Sequence, residues 1–206
     1  MAETERPQIY LISPPELELS TFPELLGAIL DSTEVACVRL ALSTKDEDRI
    51  SKVADSLREV THKRDVALVI SEHAMMVERL GLDGVHLTDG ARSVRHFRKE
   101  LGTDAIVGAF CGGSRHEGLN AGEGGADYVS FGPVAETALG DGTIAQTDLF
   151  SWWSEVVEVP VVAEGGLNED NIRTLSPITD FFGIGQEIWN AEDPAEQLQN
   201  LIAAMG

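Results

Sequence analysis

The sequence is poor in positive charge. Of its 206 residues, 15 are lysine or arginine and 35 are aspartate or glutamate, which gives a formal net charge of −20. A negative surface of this size repels nucleic acids and anionic membranes, so we expect neither as a partner. It also repels phosphorylated ligands at long range. Any phosphate must therefore be bound locally, by backbone N–H groups or by an arginine held in place.

Cysteines and long apolar segments are scarce as well. Cys37 and Cys111 are the only cysteines, too few for a disulfide framework in a chain of this length. No apolar run approaches the roughly 20 residues of a transmembrane helix. The stretch from Met1 to Pro7 is acidic and lacks the basic and then apolar pattern of a secretory signal. We expect a cytoplasmic protein that folds as one domain over residues 1–206.

What the sequence does contain is a regular alternation of short apolar strands with helices. The predicted strands are Ile9–Ile12, Val35–Leu40, Ala67–Ile70, Gly84–Leu87, Ile106–Ala109, Tyr128–Phe131, Val161–Glu164 and Phe181–Ile184. The predicted helices lie around Pro23–Leu30, Asp46–Val60, His73–Leu80, Ala91–Leu101, Ser114–Glu123, Asp148–Val157, Asn168–Leu175 and Pro194–Ala204. Successive strands start about 25 residues apart, enough for a strand and a helical crossover.

This alternation predicts the fold. Continuous apolar strands separated by helices are typical of a parallel sheet that helices cover. Eight such units predict a single (β/α)₈ TIM barrel, at the small end of the size range for that fold. The alternative is an open doubly wound sheet. It is disfavoured because no predicted strand is followed by a GxGxxG motif.

Glycines follow the last two predicted strands. In this type of barrel, ligands bind at the carboxyl ends of the strands, and phosphate often binds after strands seven and eight. Those ends hold Gly165 and Gly166, then Gly183, Ile184 and Gly185. Because glycine lacks a side chain, an anion can approach the backbone N–H groups there. The pattern predicts a phosphate site, although the glycines could also serve only tight turns.

Two charged residues lie on predicted strands near the same end. Arg39 shares the inward face of strand two, and an unpaired buried arginine is costly. It therefore binds an anionic ligand or forms a salt bridge, for which Glu72 and Asp89 are the expected partners. Glu164 ends strand seven. It is a candidate general base, but beside a phosphate it would need a proton, a cation or an orientation away from the ligand.

Further candidates follow strands three to five. Glu72 and Asp89 could together hold Mg²⁺, which takes one or two carboxylates plus the phosphates of a substrate. Loop acids that only face solvent are the alternative. His116 lies after strand five, where it could serve as an acid or base. His86 is expected to be a packed, hydrogen-bonded residue of the core, and Cys111 a small buried residue.

Four stretches carry a resemblance to a known family. Leu82–Leu87, Gly125–Val134, Val159–Leu167 and Ala191–Pro194 resemble thiamine-phosphate synthase and its relative, the thiazole tautomerase TenI. The similarity runs in order over nearly the whole chain. It implies a barrel of thiamine biosynthesis that binds a thiazole phosphate and forms a homodimer or larger oligomer. In the synthase, the thiazole phosphate is joined to a pyrimidine pyrophosphate with the assistance of Mg²⁺.

The chain departs from the synthase pattern at cationic and polar positions. The pattern has Gln-x-Arg-x-Lys on strand two, where this chain has Cys37, Arg39 and Ala41. The Thr-x-Thr-Lys loop after strand six retains Thr137, a candidate substrate contact, and lacks the lysine. Cations stabilise the negative charge that develops as pyrophosphate leaves. We therefore expect a degenerate synthase site with weak or absent turnover.

Two other functions remain open at this point. One is a proton-transfer isomerase or tautomerase that acts on a phosphorylated heterocycle or sugar through Glu164, Glu72 or His116. The other is a non-catalytic barrel that binds a phosphorylated small molecule and has a binding or regulatory role. Substituted catalytic positions show what the chain has lost, and they leave these functions unranked.

Overall fold

Eight parallel strands form a closed barrel in the computed structural model, which describes residues 6–206. Each strand pairs with the next, and the eighth pairs with the first. They are β1 (Gln8–Ile12), β2 (Cys37–Leu40), β3 (Ala67–Ser71), β4 (Gly84–Leu87), β5 (Ile106–Phe110), β6 (Tyr128–Phe131), β7 (Val161–Glu164) and β8 (Phe181–Ile184). The prediction of a single (β/α)₈ barrel is confirmed. Most of the N-terminal stretch considered for a secretory signal, residues 1–5, lies outside the described residues.

Helices surround the barrel. They are α1 (Phe22–Ser32), α2 (Glu47–His62), α3 (Val77–Leu80), α4 (Val94–Leu101), α5 (Arg115–Gly124), α6 (Thr147–Val156), α7 (Glu169–Leu175), α8 (Gln186–Trp189) and α9 (Pro194–Ala203). Short 3₁₀ turns span Ala74–Met76 and Ser176–Ile178. Asn168 caps α7 and Asp193 caps α9 through their side chains.

Three helical segments differ from prediction. The segment predicted over His73–Leu80 is a 3₁₀ turn followed by the single turn α3. The helix predicted from Ala91 begins only at Val94. The Ala91 N–H instead lies outside the helix and donates to Glu117 on α5. The short α8 was not predicted at all. Its four residues are too few to show helical periodicity.

Apolar side chains fill the inside of the barrel toward the amino ends of the strands, and polar side chains lie near the carboxyl ends. Tyr10, Cys37, Val69, Tyr128 and Val162 form the inner apolar cluster. Gly108 leaves the space for the Tyr128 ring, since a Cβ at this position would overlap that ring. The interior is therefore a packed core. Above it, the inward positions carry the charged and polar side chains of the candidate site.

Candidate active site at the carboxyl end of the barrel

A buried ion pair crosses the upper interior of the barrel. Arg39 on β2 donates through Nη2 to Oε2 of Glu164 on β7 at 2.6 Å, and through Nη1 to Oε1 at 3.3 Å. The two side chains are 7% and 2% exposed. Gly183 makes room for the pair, because a Cβ there would lie 3.0 Å from Cβ of Glu164. The partners expected for Arg39, Glu72 and Asp89, were wrong.

A chain of hydrogen bonds extends from this ion pair into the barrel. Nη1 of Arg39 lies 2.7 Å from Nε2 of His86. Because arginine can only donate, Nε2 accepts, and the ring proton lies on Nδ1. Nδ1 then donates to the Tyr128 hydroxyl at 2.9 Å, which shares a 2.5 Å hydrogen bond with the Tyr10 hydroxyl. The expectation that His86 is a packed, hydrogen-bonded core residue is confirmed.

The protonation states of this network follow from burial and from the Arg39 charge. Burial, and after it the charge of Arg39, holds the pKa of His86 well below its ordinary value. Burial alone would lower the pKa of Arg39, but Glu164 and Tyr10 outweigh it and raise that pKa. Burial also raises the pKa of Tyr128. The histidine and the tyrosines are neutral near pH 7, so the network offers a ligand no net positive charge.

Two buried polar atoms of this region lack a hydrogen-bond partner among residues 6–206. They are Nε of Arg39 and Oγ of Ser130. Buried polar groups are ordinarily paired with protein or water. These two atoms therefore have the capacity to bind one further polar atom each.

Backbone N–H groups after β7 and β8 converge on one carboxylate. Gly166 and Leu167 donate to Oε1 of Glu187 at 3.1 and 3.2 Å, and Gly185 donates to Oε2 at 2.8 Å. We call these three N–H groups the amide cup. Gly165 and Gly166 have φ angles of +85° and +77°, in the left-handed region that favours glycine. The loops have the anion-binding geometry that the glycines indicate, and the anion in them is a side chain of the same protein.

The remaining predicted substrate contacts lie near this cup. Gly183 and Ile184 belong to β8 itself and are buried, so their amides are part of the strand rather than of the cup. Thr137 lies in the loop after β6, above Gly166, where a Cβ would be 3.1 Å from the Thr137 methyl group. Its hydroxyl accepts a hydrogen bond from the N–H of Leu139 at 3.2 Å. In this structure Thr137 therefore orders its own loop.

The acids predicted to hold Mg²⁺ are exposed at the opposite side of the mouth. Glu72 follows β3 with a φ angle of +68°, in the left-handed region, and accepts a 2.7 Å hydrogen bond from Thr88. Asp89 follows β4 and accepts a 2.5 Å hydrogen bond from Ser93. Within the described part of the chain, no group of three or more His, Cys, Asp or Glu residues could hold a metal ion. Binding of Mg²⁺ by Glu72 and Asp89 stays a prediction that needs oxygen atoms from a ligand.

A cavity of about 1010 Å³ lies beside these acids, between the ends of β4 and β5 and the loop after β6. Its charged lining comprises Asp89, Arg92, Arg95, Glu117, Glu123 and Asp141. The acids outnumber the arginines, so the cavity is negative overall. Cys111 also lines it, but burial, and then Glu117, raises the pKa of its thiol to about 12. This supports its role as a small buried residue.

His116 lies on the exposed first turn of α5. Its Nε2 accepts a 3.1 Å hydrogen bond from Asn120 of the same helix. The side-chain hydrogen bonds among residues 6–206 do not connect it to Arg39, Glu72 or Glu164. Its role as an acid or base stays a prediction.

Comparison with known proteins identifies the family. The family model described as thiamine monophosphate synthase matches residues 9–179. The chain belongs to the thiamine monophosphate synthase family. Among the relatives in this family, the thiamine-phosphate synthase of Rhodospirillum centenum is 37% identical over 185 residues, covering 89% of each chain. That of Erythrobacter litoralis is 36% identical over 202 residues, covering 95% of this chain and 94% of the relative.

A solved structure supports the same architecture. The thiamine phosphate pyrophosphorylase of Pyrococcus furiosus superposes with a TM-score of 0.82 at 23% identity, covering 96% of this chain and 95% of that one. At this identity the likeness shows the barrel fold alone. Within residues 6–206 no helix combines the length and apolar character needed to cross a membrane.

Sequence reasoning missed two members of this site. Leu167 donates the third N–H group of the cup, and Glu187 supplies its carboxylate. The available signal was an acid two residues after Gly185, close enough to reach back to that N–H group.

Proposed function

We propose that this member of the family acts in thiamine biosynthesis as a barrel that binds a thiazole phosphate or a similar phosphorylated heterocycle. We further propose that it joins this ligand to a pyrimidine pyrophosphate slowly or not at all. One observation carries the second statement. Arg39, the inward-facing cation on β2, donates through both Nη1 and Nη2 to the Glu164 carboxylate.

The reason is the charge that the synthase reaction develops. As pyrophosphate leaves, negative charge accumulates on its oxygens, and fixed cations or donors must stabilise it. Cys37 and Ala41 stand where the resemblance expects glutamine and lysine, and Arg39 is neutralised by its partner. Loss of one such contact lowers turnover by roughly 10²–10³-fold. Several losses together leave little synthase activity.

The ligand site that we propose spans the mouth from the amide cup to the large cavity. A volume of about 1010 Å³ is ample for a phosphorylated heterocycle. Since that cavity is negative overall, a phosphate there requires a divalent cation. Glu72 and Asp89 provide the oxygen donors that Mg²⁺ prefers, and when bound it would neutralise the ligand phosphate.

Calorimetric titration with thiazole phosphate, with and without Mg²⁺, tests this proposal. We expect binding that Mg²⁺ strengthens, and little thiamine phosphate after addition of the pyrimidine pyrophosphate. Glu72→Gln should remove the effect of Mg²⁺. The matched variant Glu78→Gln, an exposed acid on α3, should retain it. Rapid product formation would show that other groups replace the missing cations, and absence of binding would overturn the ligand site.

A second function has one specific observation in its favour. Glu72 is an exposed carboxylate in a left-handed backbone conformation at the mouth, and strained residues of this kind concentrate at functional sites. Glu164, by contrast, is occupied by Arg39. Glu72 is therefore the better base for a proton-transfer isomerase. Incorporation of solvent deuterium into the phosphorylated heterocycle would support this function if Glu72→Gln abolishes it and Glu78→Gln does not.

A further inference from the structure

The amide cup is filled by a carboxylate of the same chain. Three N–H groups from the loops after two adjacent strands all donate to Glu187. We propose that Glu187 determines ligand specificity at this site: it competes with the phosphate of a ligand, so that the wild-type protein binds phosphate monoesters weakly. This inference rests on the proposed ligand site at the mouth of the barrel.

The competition follows from the number of donors and from charge. A hydrogen bond from an N–H group to a carboxylate is charge-assisted and stronger than a neutral one. An incoming phosphate needs the same three donors, and it carries negative charge of its own. It cannot bind beside Glu187 without repulsion, so it must first displace the carboxylate. Its apparent affinity is then reduced by the fraction of molecules in which the cup is open.

The backbone of Glu187 is held in place. Ile188, the next residue, is fully buried. One residue further, Nε1 of Trp189 donates to the backbone oxygen of Ile12 at 2.6 Å. Since α8 is anchored in this way, the carboxylate can leave the cup only by rotation of its own side chain.

The surroundings outside the cup favour the closed arrangement. Glu187 borders a cavity of about 410 Å³ that is also lined by Glu169, Asp170 and Gln197. Glu169 and Asp170 already bind Arg173, and the described residues that line this cavity include no cation that Glu187 could reach. A Glu187 side chain rotated toward the cavity would therefore lose three hydrogen bonds without a replacement, which favours its position in the cup. In most molecules of the wild-type protein, the Glu187 carboxylate therefore occupies the amide cup.

Titration with inorganic phosphate tests the inference. Removing the competitor in Glu187→Ala should tighten phosphate binding at least about tenfold, the effect expected for a lost charge-assisted interaction. The control is Glu192→Ala, which removes an exposed acid soon after α8 and changes the net charge equally. It should stay within about twofold of the wild type. A folded Glu187→Ala protein that binds phosphate no more tightly than the control would overturn the proposal.

A second variant covers a failure of Glu187→Ala to fold. Glu187→Gln keeps the length of the side chain and one acceptor oxygen but removes the charge. In both variants, the ¹⁵N–¹H signals of Gly166, Leu167 and Gly185 should shift at lower phosphate concentrations than in the wild type. Phosphate that shifts only signals elsewhere would contradict the inference.

The outcomes separate this inference from the proposed function. A wild-type protein that fails to bind thiazole phosphate removes the proposed function. If Glu187→Ala nevertheless binds inorganic phosphate through the amide cup, Glu187 is still the competitor. Conversely, equal phosphate affinities in the wild type and in both variants would remove the competitor and leave the proposed function standing.

Discussion

The two sides of the barrel mouth treat negative charge in opposite ways. On the β7–β8 side, Glu164 is paired with Arg39 and Glu187 fills the amide cup. On the β3–β4 side, Glu72 and Asp89 are exposed, and each accepts a hydrogen bond from a hydroxyl group. Both carboxylates on the first side are bound by cationic or N–H groups of the chain itself. The two carboxylates on the second side remain accessible to a cation or a ligand.

This difference shows which groups determine stability and which remain available for function. A buried charge must have a fixed partner in the folded state, because desolvation without one is costly. An exposed carboxylate needs none. We call the β7–β8 side the closed side and the β3–β4 side the open side. We therefore expect substitutions on the closed side to change the free energy of unfolding, and substitutions on the open side to change ligand and cation binding.

Breaking the buried ion pair has the largest expected effect. Glu164→Ala leaves Arg39 buried without its carboxylate and should lower the free energy of unfolding by about 3–5 kcal/mol. Unfolding in urea, followed by circular dichroism, measures it. Glu169→Ala is the control, because it breaks an exposed ion pair to Arg173 and should change stability by less than about 1 kcal/mol. Equal effects would mean that water reaches Arg39 and that the closed side is not dry.

The next effect is a pH dependence that arises from His86. Its pKa lies well below 6.5 in the folded protein and near 6.5 in the unfolded chain. The unfolded state therefore binds the extra proton below this pH, and the folded state loses stability as the pH falls. The slope is at most about 1.4 kcal/mol per pH unit. Unfolding between pH 7.5 and 5, at intervals of about half a unit, should show it.

His86→Asn is the matched variant for this prediction. The asparagine side chain can accept from Arg39 and donate to Tyr128, but it does not titrate. Its stability curve should be flatter than that of the wild type over the same range. Parallel curves would show that other groups cause the acid sensitivity, and that the closed side tolerates a second positive charge.

The fold was predictable because its signal is repeated. Each strand–helix unit carries the same apolar pattern, so an error at one boundary does not change the number of units. The predicted Gly84–Leu87, Tyr128–Phe131, Val161–Glu164 and Phe181–Ile184 strands match the structure residue for residue. The short α3 and α8 were missed or misplaced because one helical turn has no period to read.

The partners within the site were less predictable, for a geometric reason. Arg39 and Glu164 lie on β2 and β7, which are neighbours neither in sequence nor in the sheet. They meet only across the closed barrel, whereas Glu72 and Asp89, the expected partners, follow β3 and β4, which come directly after β2 along the chain. The glycines after β7 and β8 predict that the anion is a bound ligand. Glu187, two residues after Gly185, supplies that anion from the chain itself.

The smallest predicted effect concerns the open side and has the opposite sign. Glu72 has a φ angle of +68°, which glycine adopts without steric penalty, so Glu72→Gly should raise the free energy of unfolding by up to about 1 kcal/mol. Asp65→Gly is the control, since Asp65 also has a positive φ angle, +54°, in the turn before β3. Both variants should gain stability in urea unfolding, whereas only Glu72→Gly should lose the Mg²⁺ effect on ligand binding. A gain without loss of binding would mean that the strain at Glu72 serves no ligand, and the two sides of the mouth would then differ only in exposure.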